Sequence, residues 1–191
     1  MLRLKKCSYK EMHNYYGMME QDFNKTILPP EIVFHKALFQ HQIELVVVMD
    51  DTIKVAIAYA IVCPKSLYGY AMLMYFAVMP WYRDKGLGTE AMRLIDRRYS
   101  RLQGMLVEIP QGDSADAAAD FFGRLGYKTV KCGPYTHSGV PTKIMARLPE
   151  GAPSPAPVMH RVIPELYTHI YSDTTVGKLI NIQPAKKKLF G

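Results

Sequence analysis

The chain has 191 residues, of which 49% are hydrophobic and 21% charged, and these proportions exclude a disordered or fibrous protein. The formal net charge of +7 comes from basic residues that are scattered along the sequence, so we expect no nucleic-acid partner. The sequence has no run of about 18 apolar residues, so we expect a cytoplasmic protein that does not enter a membrane.

The first half of the chain alternates between predicted helices and strands. Ser8 followed by Glu11 has the spacing of a capping box and predicts the start of a helix. Pro29 and Pro30 suit the first turn of a second helix, where proline is tolerated. Apolar runs predict the strands around these helices. In chain order we expect a strand at 2–6, a helix to about 23, a helix at 29–41, and strands at 43–49, 52–62 and 70–79.

The second half continues this alternation. An apolar stripe at helical spacing predicts a helix that begins near Leu87. Asp113 or Ser114 caps the next predicted helix, which ends near Gly126. Helices that lie between more numerous strands indicate a mixed α/β sheet. The remaining strands are predicted at 105–109, 128–132 and 143–147.

The composition changes after residue 148. Residues 149–157 contain four prolines, which is typical of a linker. Beyond them, apolar residues recur at helical spacing, although Pro164 is predicted to interrupt the helix. We predict a domain at 1–148 and a Pro-rich linker and C-terminal extension at 149–191 that docks on this domain, with a partner contact or a loosely ordered tail as the alternatives.

The cysteines give no indication of a metal or a disulfide. Cys7, Cys63 and Cys132 are odd in number, far apart in sequence and without metal-ligand spacing. We expect free thiols and no metal site.

A glycine-containing loop follows the long strand at 70–79. Gly86 and Gly88 lie where this strand is expected to lead into a helix. The backbone N–H groups at a helix start are unpaired and carry partial positive charge, and glycine lets a ligand approach them closely. Arg83 and Lys85 add full positive charges. The loop is therefore predicted to bind a phosphorylated ligand.

Three phosphate loops can be compared with this segment. A dinucleotide loop fits only in its looser form, because Ala91 stands where a third glycine is usual. The glycine and lysine run of a nucleoside-triphosphate loop is absent. The pattern Arg/Gln-x-x-Gly-x-Gly/Ala, preceded by Val-x-Pro, is matched in full. The matching residues are Val78, Pro80, Arg83, Gly86 and Gly88.

This third pattern resembles the acetyl-coenzyme A loop of the GCN5-related N-acetyltransferase (GNAT) family. A second segment, which includes Ala118, Phe122 and Tyr127, is similar to another family motif. The resemblance covers about residues 1–148 and implies an α/β fold with a GNAT-type mixed, splayed central sheet and flanking helices. It also implies an N-acetyltransferase that moves an acetyl group to a primary amine by direct attack in a ternary complex.

The resemblance also implies which residues hold acetyl-coenzyme A as co-substrate. In the family, one backbone N–H donates a hydrogen bond to the thioester carbonyl. The residue at the matching position here is Val78. Phe76 and Ala77 would line the pantetheine arm, and the loop amides would hold the pyrophosphate. The implied set is Phe76, Ala77, Val78, Arg83, Asp84, Lys85, Gly86, Leu87, Gly88, Thr89, Ala118 and Phe122.

At the positions of the general base, this sequence differs from the better-known relatives. Some relatives carry a Glu or His at the positions of Met72 or Met74, where this chain has methionines. Others use a glutamate on the next strand, which corresponds to Glu108. We predict Glu108 as the base; a structural ion pair with a Lys or Arg is the alternative.

At the position of the general acid, the sequence also differs from many relatives. Many relatives have a tyrosine at the position of Phe122, which cannot donate a proton. Tyr135 or His137 could replace it, and Tyr135 is predicted as the second catalytic residue.

The expected acceptor is a small-molecule or peptide amine, and a homodimer is left open. The departures at the base and acid positions keep an alternative function open. In it, the domain binds coenzyme A with weak activity and acts as a sensor or interaction module.

Overall fold

The computed structural model of the protein describes residues 1–23, 25–64 and 66–185. None of the helices in this described part is long and apolar enough to cross a membrane. The helices are α1 (Met12–Asp22), α2 (Glu31–Phe39), α3 (Leu87–Arg98), α4 (Ala115–Arg124), α5 (Met159–Thr168) and α6 (Asp173–Leu179). The strands are β1 (Leu2–Cys7), β2 (Glu44–Asp50), β3 (Val55–Cys63), β4 (Tyr70–Val78), β5 (Gly104–Pro110), β6 (Lys128–Thr129), β7 (Tyr135–His137), β8 (Val140–Arg147) and β9 (Ile180–Ile182).

The strands form one mixed sheet in the order β1-β2-β3-β4-β5-β8-β7-β9, with β6 paired to β8. All paired strands are antiparallel except β4 and β5, which are parallel. The parallel pairing begins at Tyr70 with Gly104 and ends at Leu73 with Val107, although both strands continue. The sheet is therefore open between the second halves of β4 and β5.

A β-bulge at Met74 accompanies this opening. Tyr75 pairs with Ile61 and Leu73 pairs with Val62, so Met74 has no partner in β3. A bulge bends its strand and interrupts pairing, which separates β4 from β5 directly after the last parallel pair. The mixed, splayed sheet predicted from the sequence is confirmed.

Helices cover both faces of the sheet. On one face α1, α2, α5 and α6 pack on a large core that includes Phe34, Tyr59 and Leu166. On the other face α3 and α4 pack on a smaller core around Met92 and Ile95. Strand side chains alternate between these two cores, as the pleat of a strand requires.

The hairpin before the last long strand differs from the sequence prediction. Only Lys128–Thr129 of the predicted strand at 128–132 is extended, and residues 135–137, predicted as a loop, form β7. His137 pairs with Val140, so Ser138 and Gly139 form a two-residue turn. Both turn residues have positive φ angles, of 51° and 78°, which is typical of tight hairpins.

The described part of the extension is folded onto the domain. Its helix α5 continues through Pro164, where the sequence predicted an interruption. Val162, Ile163 and Leu166 are fully buried in the large core, and this burial outweighs the hydrogen bond that proline cannot make. The sequence did not predict α6 or β9, which pairs with β7.

The predicted cap at the first helix is present. The Ser8 N–H donates to Glu11 Oε2 at 2.9 Å, and Lys5 Nζ donates to Glu11 Oε1 at 2.6 Å. A short 3-10 helix (Tyr9–Glu11) leads from this cap into α1. The bonds from Lys5 and Ser8 lower the pKa of Glu11 from its ordinary 4.5 to about 2.

Replacing Glu11 with glutamine should destabilise the protein at neutral pH by about 1 kcal/mol, the usual contribution of a helix cap. Because folding lowers the pKa of Glu11, its carboxylate stabilises the fold above a pH of about 4.5, and this contribution is lost as the pH falls towards 2. Urea unfolding at about pH 7 and about pH 3 measures the difference. Exposed Glu150→Gln is the control, and an equal loss at both pH values would contradict the prediction.

Candidate active site

A cavity of about 830 Å³ occupies the opening between β4 and β5. Residues of β4 form one wall and residues of β5 the other. On one face the cavity is bordered by Phe121 and Phe122 of α4, and on the other face by Phe23 and Ile27, which lie between α1 and α2. The end of the parallel pairing therefore produces a cleft in the middle of the sheet.

The backbone of Val78 directs a hydrogen-bond donor towards this cleft. Met79 donates its N–H to the Ile57 carbonyl in β3 at 2.8 Å. Successive residues of an antiparallel strand direct their N–H groups to opposite edges. The Val78 N–H is thus directed towards β5, beyond the point where β5 pairs with β4.

The two glycines of the loop before α3 are required for two different reasons. Gly86 has φ +74° and directly precedes α3, while a Cβ added to it would meet no atom within 4 Å. It therefore supplies a left-handed turn in open space beside the unpaired N–H groups of the helix. A Cβ at Gly88 would lie 3.1 Å from Val78 Cγ2 and 3.6 Å from Phe121 Cε2. Gly88 therefore permits close packing of α3 on β4 and α4.

The two basic side chains of the loop are bound to protein groups. Arg83 donates from Nε to the Val78 carbonyl at 2.9 Å and from Nη2 to Asp22 Oδ1 at 2.5 Å. Lys85 Nζ donates to the Trp81 carbonyl at 2.8 Å. Arg83 therefore joins the loop to the end of β4 and to α1, rather than standing as an unpaired charge beside a phosphate.

Most of the residues implied for the co-substrate line the cleft. Ala77 instead packs into the large core on the opposite side of β4, and the lining does not include Lys85 or Leu87. Those that line it are Phe76, Val78, Arg83, Asp84, Gly86, Gly88, Thr89, Ala118 and Phe122.

Glu108 follows directly on the last parallel pair, so its side chain lies where β5 leaves β4. The side chain lines the cleft but is only 8% exposed. Its Oε2 accepts from the Tyr167 hydroxyl at 2.8 Å and lies 3.1 Å from His137 Nδ1, and its Oε1 accepts from the Tyr135 hydroxyl. The structure thus brings together Glu108, Tyr135 and His137, the three candidates for proton transfer.

The two tyrosines act as donors to this carboxylate. Burial, and then the charge of Glu108, raises the pKa of both Tyr135 and Tyr167 well above the ordinary value. Both hydroxyls stay protonated and donate at neutral pH. Tyr135 is not part of the cleft lining, so it lies behind Glu108.

Sequence reasoning missed Tyr167. The residue follows Ile163 by one helical turn and Leu166 by one position. Its place on the predicted apolar stripe could therefore have been recognised, although its bond to Glu108 could not. Within the described residues, no group of three or more His, Cys, Asp and Glu side chains could hold a metal ion.

The mixed sheet with its flanking helices matches the fold of acetyltransferases of known structure. The model of the acetyltransferase (GNAT) family matches residues 9–127, which is more than half of the chain. The chain belongs to this family, and the resemblance predicted from the sequence is confirmed. No curated protein matches the chain significantly.

Solved structures with the same fold are distant in sequence. A putative GNAT acetyltransferase from Bacteroides thetaiotaomicron is 14% identical, with a TM-score of 0.71, over 88% of this chain and 98% of its own. Arabidopsis thaliana NAA60 in complex with acetyl-CoA is 10% identical, with a TM-score of 0.60, over 79% and 100%. The ribosomal-protein-S18-alanine N-acetyltransferase from Escherichia coli is 18% identical, with a TM-score of 0.58, over 79% and 98%.

Proposed function

We propose that the protein transfers the acetyl group of acetyl-coenzyme A to a primary amine, by direct attack in a ternary complex with Glu108 as general base. The observation that carries this proposal is the position of Glu108 on the cleft wall, directly after the last pair of β4 and β5. Membership of the family and a structural neighbour solved with acetyl-CoA support the choice of co-substrate.

The cleft fits acetyl-coenzyme A in chemistry and shape. The unpaired amides at the start of α3, beside the open space at Gly86, suit a pyrophosphate. Phe76 and Ala118 suit the pantetheine arm, and the Val78 N–H can donate to a carbonyl oxygen in the cleft. When bound, the co-substrate supplies the acetyl group as a thioester with a thiolate leaving group.

Glu108 is equipped to accept the proton of the acceptor amine. A carboxylate has about four lone-pair sites, and Tyr135, Tyr167 and His137 account for three contacts to them. One site on Oε1 is left for the acceptor. Since the side chain already lines the cleft, a bound amine or one bridging water can reach it.

No acid has to replace the absent tyrosine. Phe122 lies at the cleft in an aromatic cluster, with its ring 5.1 Å from that of Phe121 and 5.2 Å from that of Tyr127. A thiolate leaves without prior protonation, so an apolar residue here is compatible with turnover.

The acceptor side of the cleft favours a monoamine that carries an apolar group. Phe23, Ile27 and Met74 line this side, and the Tyr75 hydroxyl is already bonded to the Ile27 carbonyl at 2.9 Å. Asp22 is paired with a cation of the chain itself. A small apolar amine and a peptide N-terminus both meet these conditions.

Substitutions of Gly86 test the co-substrate loop. Gly86→Glu and Gly86→Ala both strain the positive φ, but only Glu adds a bulky anion where the pyrophosphate is expected. We expect calorimetry to show micromolar binding of acetyl-coenzyme A to the wild type, weaker binding to Gly86→Ala and none to Gly86→Glu. Equal affinity of Gly86→Glu and Gly86→Ala would contradict the assignment of this loop.

Glu108→Gln tests the base. We expect kcat/KM to fall by about 100-fold to 10,000-fold, the usual contribution of a general base, with acetyl-coenzyme A affinity unchanged. Turnover is measured with phenethylamine, a short peptide and spermidine, and the two monoamines should exceed spermidine. Wild-type turnover by Glu108→Gln would rule out the base, and tight binding without turnover of any amine would favour the sensor function.

A further inference from the structure

Within the described residues, the three side chains at hydrogen-bond distance from the Glu108 carboxylate all lie outside the segment matched by the family model. That segment ends at residue 127, whereas the contacts come from Tyr135, His137 and Tyr167. Two of them belong to β7, and Tyr167 belongs to the extension. The environment of the carboxylate is thus built largely by the last third of the chain.

Tyr167 is held in one place by its packing. The residue is 5% exposed, and its ring lies 4.9 Å from the His137 ring in an edge arrangement. Val162, Ile163 and Leu166 anchor the same helix in the core. A buried hydroxyl needs hydrogen-bond partners, and this one finds Glu108 Oε2 at 2.8 Å and His137 Nδ1 at 3.1 Å.

A second part of the extension holds the other donors. Strand β9 covers the free edge of β7 and pairs Ile182 with Tyr135 and Ile180 with His137. Gly133, just before β7, allows this approach, because a Cβ there would lie 2.5 Å from the Pro184 carbonyl oxygen. Helix α5 and strand β9 therefore hold the Glu108 contacts from two sides.

We propose that the C-terminal extension completes the active site and that Tyr167 is a positioning residue for Glu108. This inference rests on the proposed role of Glu108 as general base. The Tyr167 hydroxyl keeps Oε2 directed into the protein, which leaves Oε1 for the acceptor. Its hydrogen bond also supplies a donor to a carboxylate oxygen that is nearly buried. A phenylalanine would fill the same space without either effect.

Tyr167→Phe removes this hydroxyl, and Tyr99→Phe is the matched control. The Tyr99 hydroxyl also donates to a carboxylate oxygen at 2.8 Å, that of Glu44, in a part of the chain that does not line the cleft. For Tyr167→Phe we expect kcat to fall at least about 10-fold, as for loss of a bond to a charged group, with KM for the amine nearly unchanged. The dependence of kcat on pH should also change, because a hydrogen-bond donor to the proposed base is lost. Tyr99→Phe should retain the wild-type kcat and profile.

A readout on the free protein separates positioning from general damage. We expect the His137 Nδ1 resonance in nitrogen-15 NMR spectra to shift in Tyr167→Phe and not in Tyr99→Phe, because Tyr167 lies 3.1 Å from that atom. Calorimetric affinity for acetyl-coenzyme A should stay at the wild-type value in both variants.

The outcomes distinguish this inference from the proposed function. Wild-type turnover by Glu108→Gln would overturn both. Inactive Glu108→Gln together with a wild-type kcat, pH profile and His137 resonance in Tyr167→Phe would overturn only the role of Tyr167. If Tyr167→Phe does not fold by circular dichroism, Gly133→Ala decides whether the extension completes the site, since its Cβ would meet the Pro184 carbonyl oxygen and displace β9, which pairs with β7. A wild-type dependence of kcat on pH in that variant would overturn the proposal, and an altered one would support it.

Discussion

The parallel hydrogen bonding between β4 and β5 ends at Leu73 and Val107, and the site depends on this interruption. Unpaired strand backbone is costly inside a protein unless a ligand or solvent satisfies it. Here the bulge at Met74 bends β4 away, so the cleft opens in the middle of the sheet rather than at its surface. The direction of the Val78 N–H into the cleft and the place of the Glu108 carboxylate on the cleft wall both result from this one departure from regular pairing.

The two sides of the opening also differ in the groups that they present to a ligand. Helices α3 and α4 border the side where unpaired amides at a helix start favour an anion. The segment between α1 and α2 borders the other side, which is apolar and aromatic. Asp22 and Arg83 connect the two sides through a contact of 2.5 Å between loop and helix. The loop geometry therefore depends on the helix that borders the apolar side of the cleft.

The extension is part of this architecture rather than an addition to it. A nearly buried carboxylate is stable only when it is hydrogen-bonded, and the partners of Glu108 come from β7 and α5. Because α5 is anchored by fully buried side chains, it can hold the Tyr167 hydroxyl in a fixed position. The apolar residues that anchor the extension therefore also fix the position of a hydroxyl group in the polar site.

The sequence by itself determined the elements up to β5, the glycine turn before α3 and the family, because these depend on local signals. One continuous segment contains a strand, a Val-x-Pro turn and the glycines before a helix. Gly86 has a positive φ, which the turn at this position requires. The contacts of the site were decided by the tertiary structure. Tyr167 lies 59 residues from Glu108, and Arg83 lies 61 residues from Asp22. No local pattern encodes such pairs, because they follow from how helices pack on a sheet, and the same packing keeps Pro164 inside a helix.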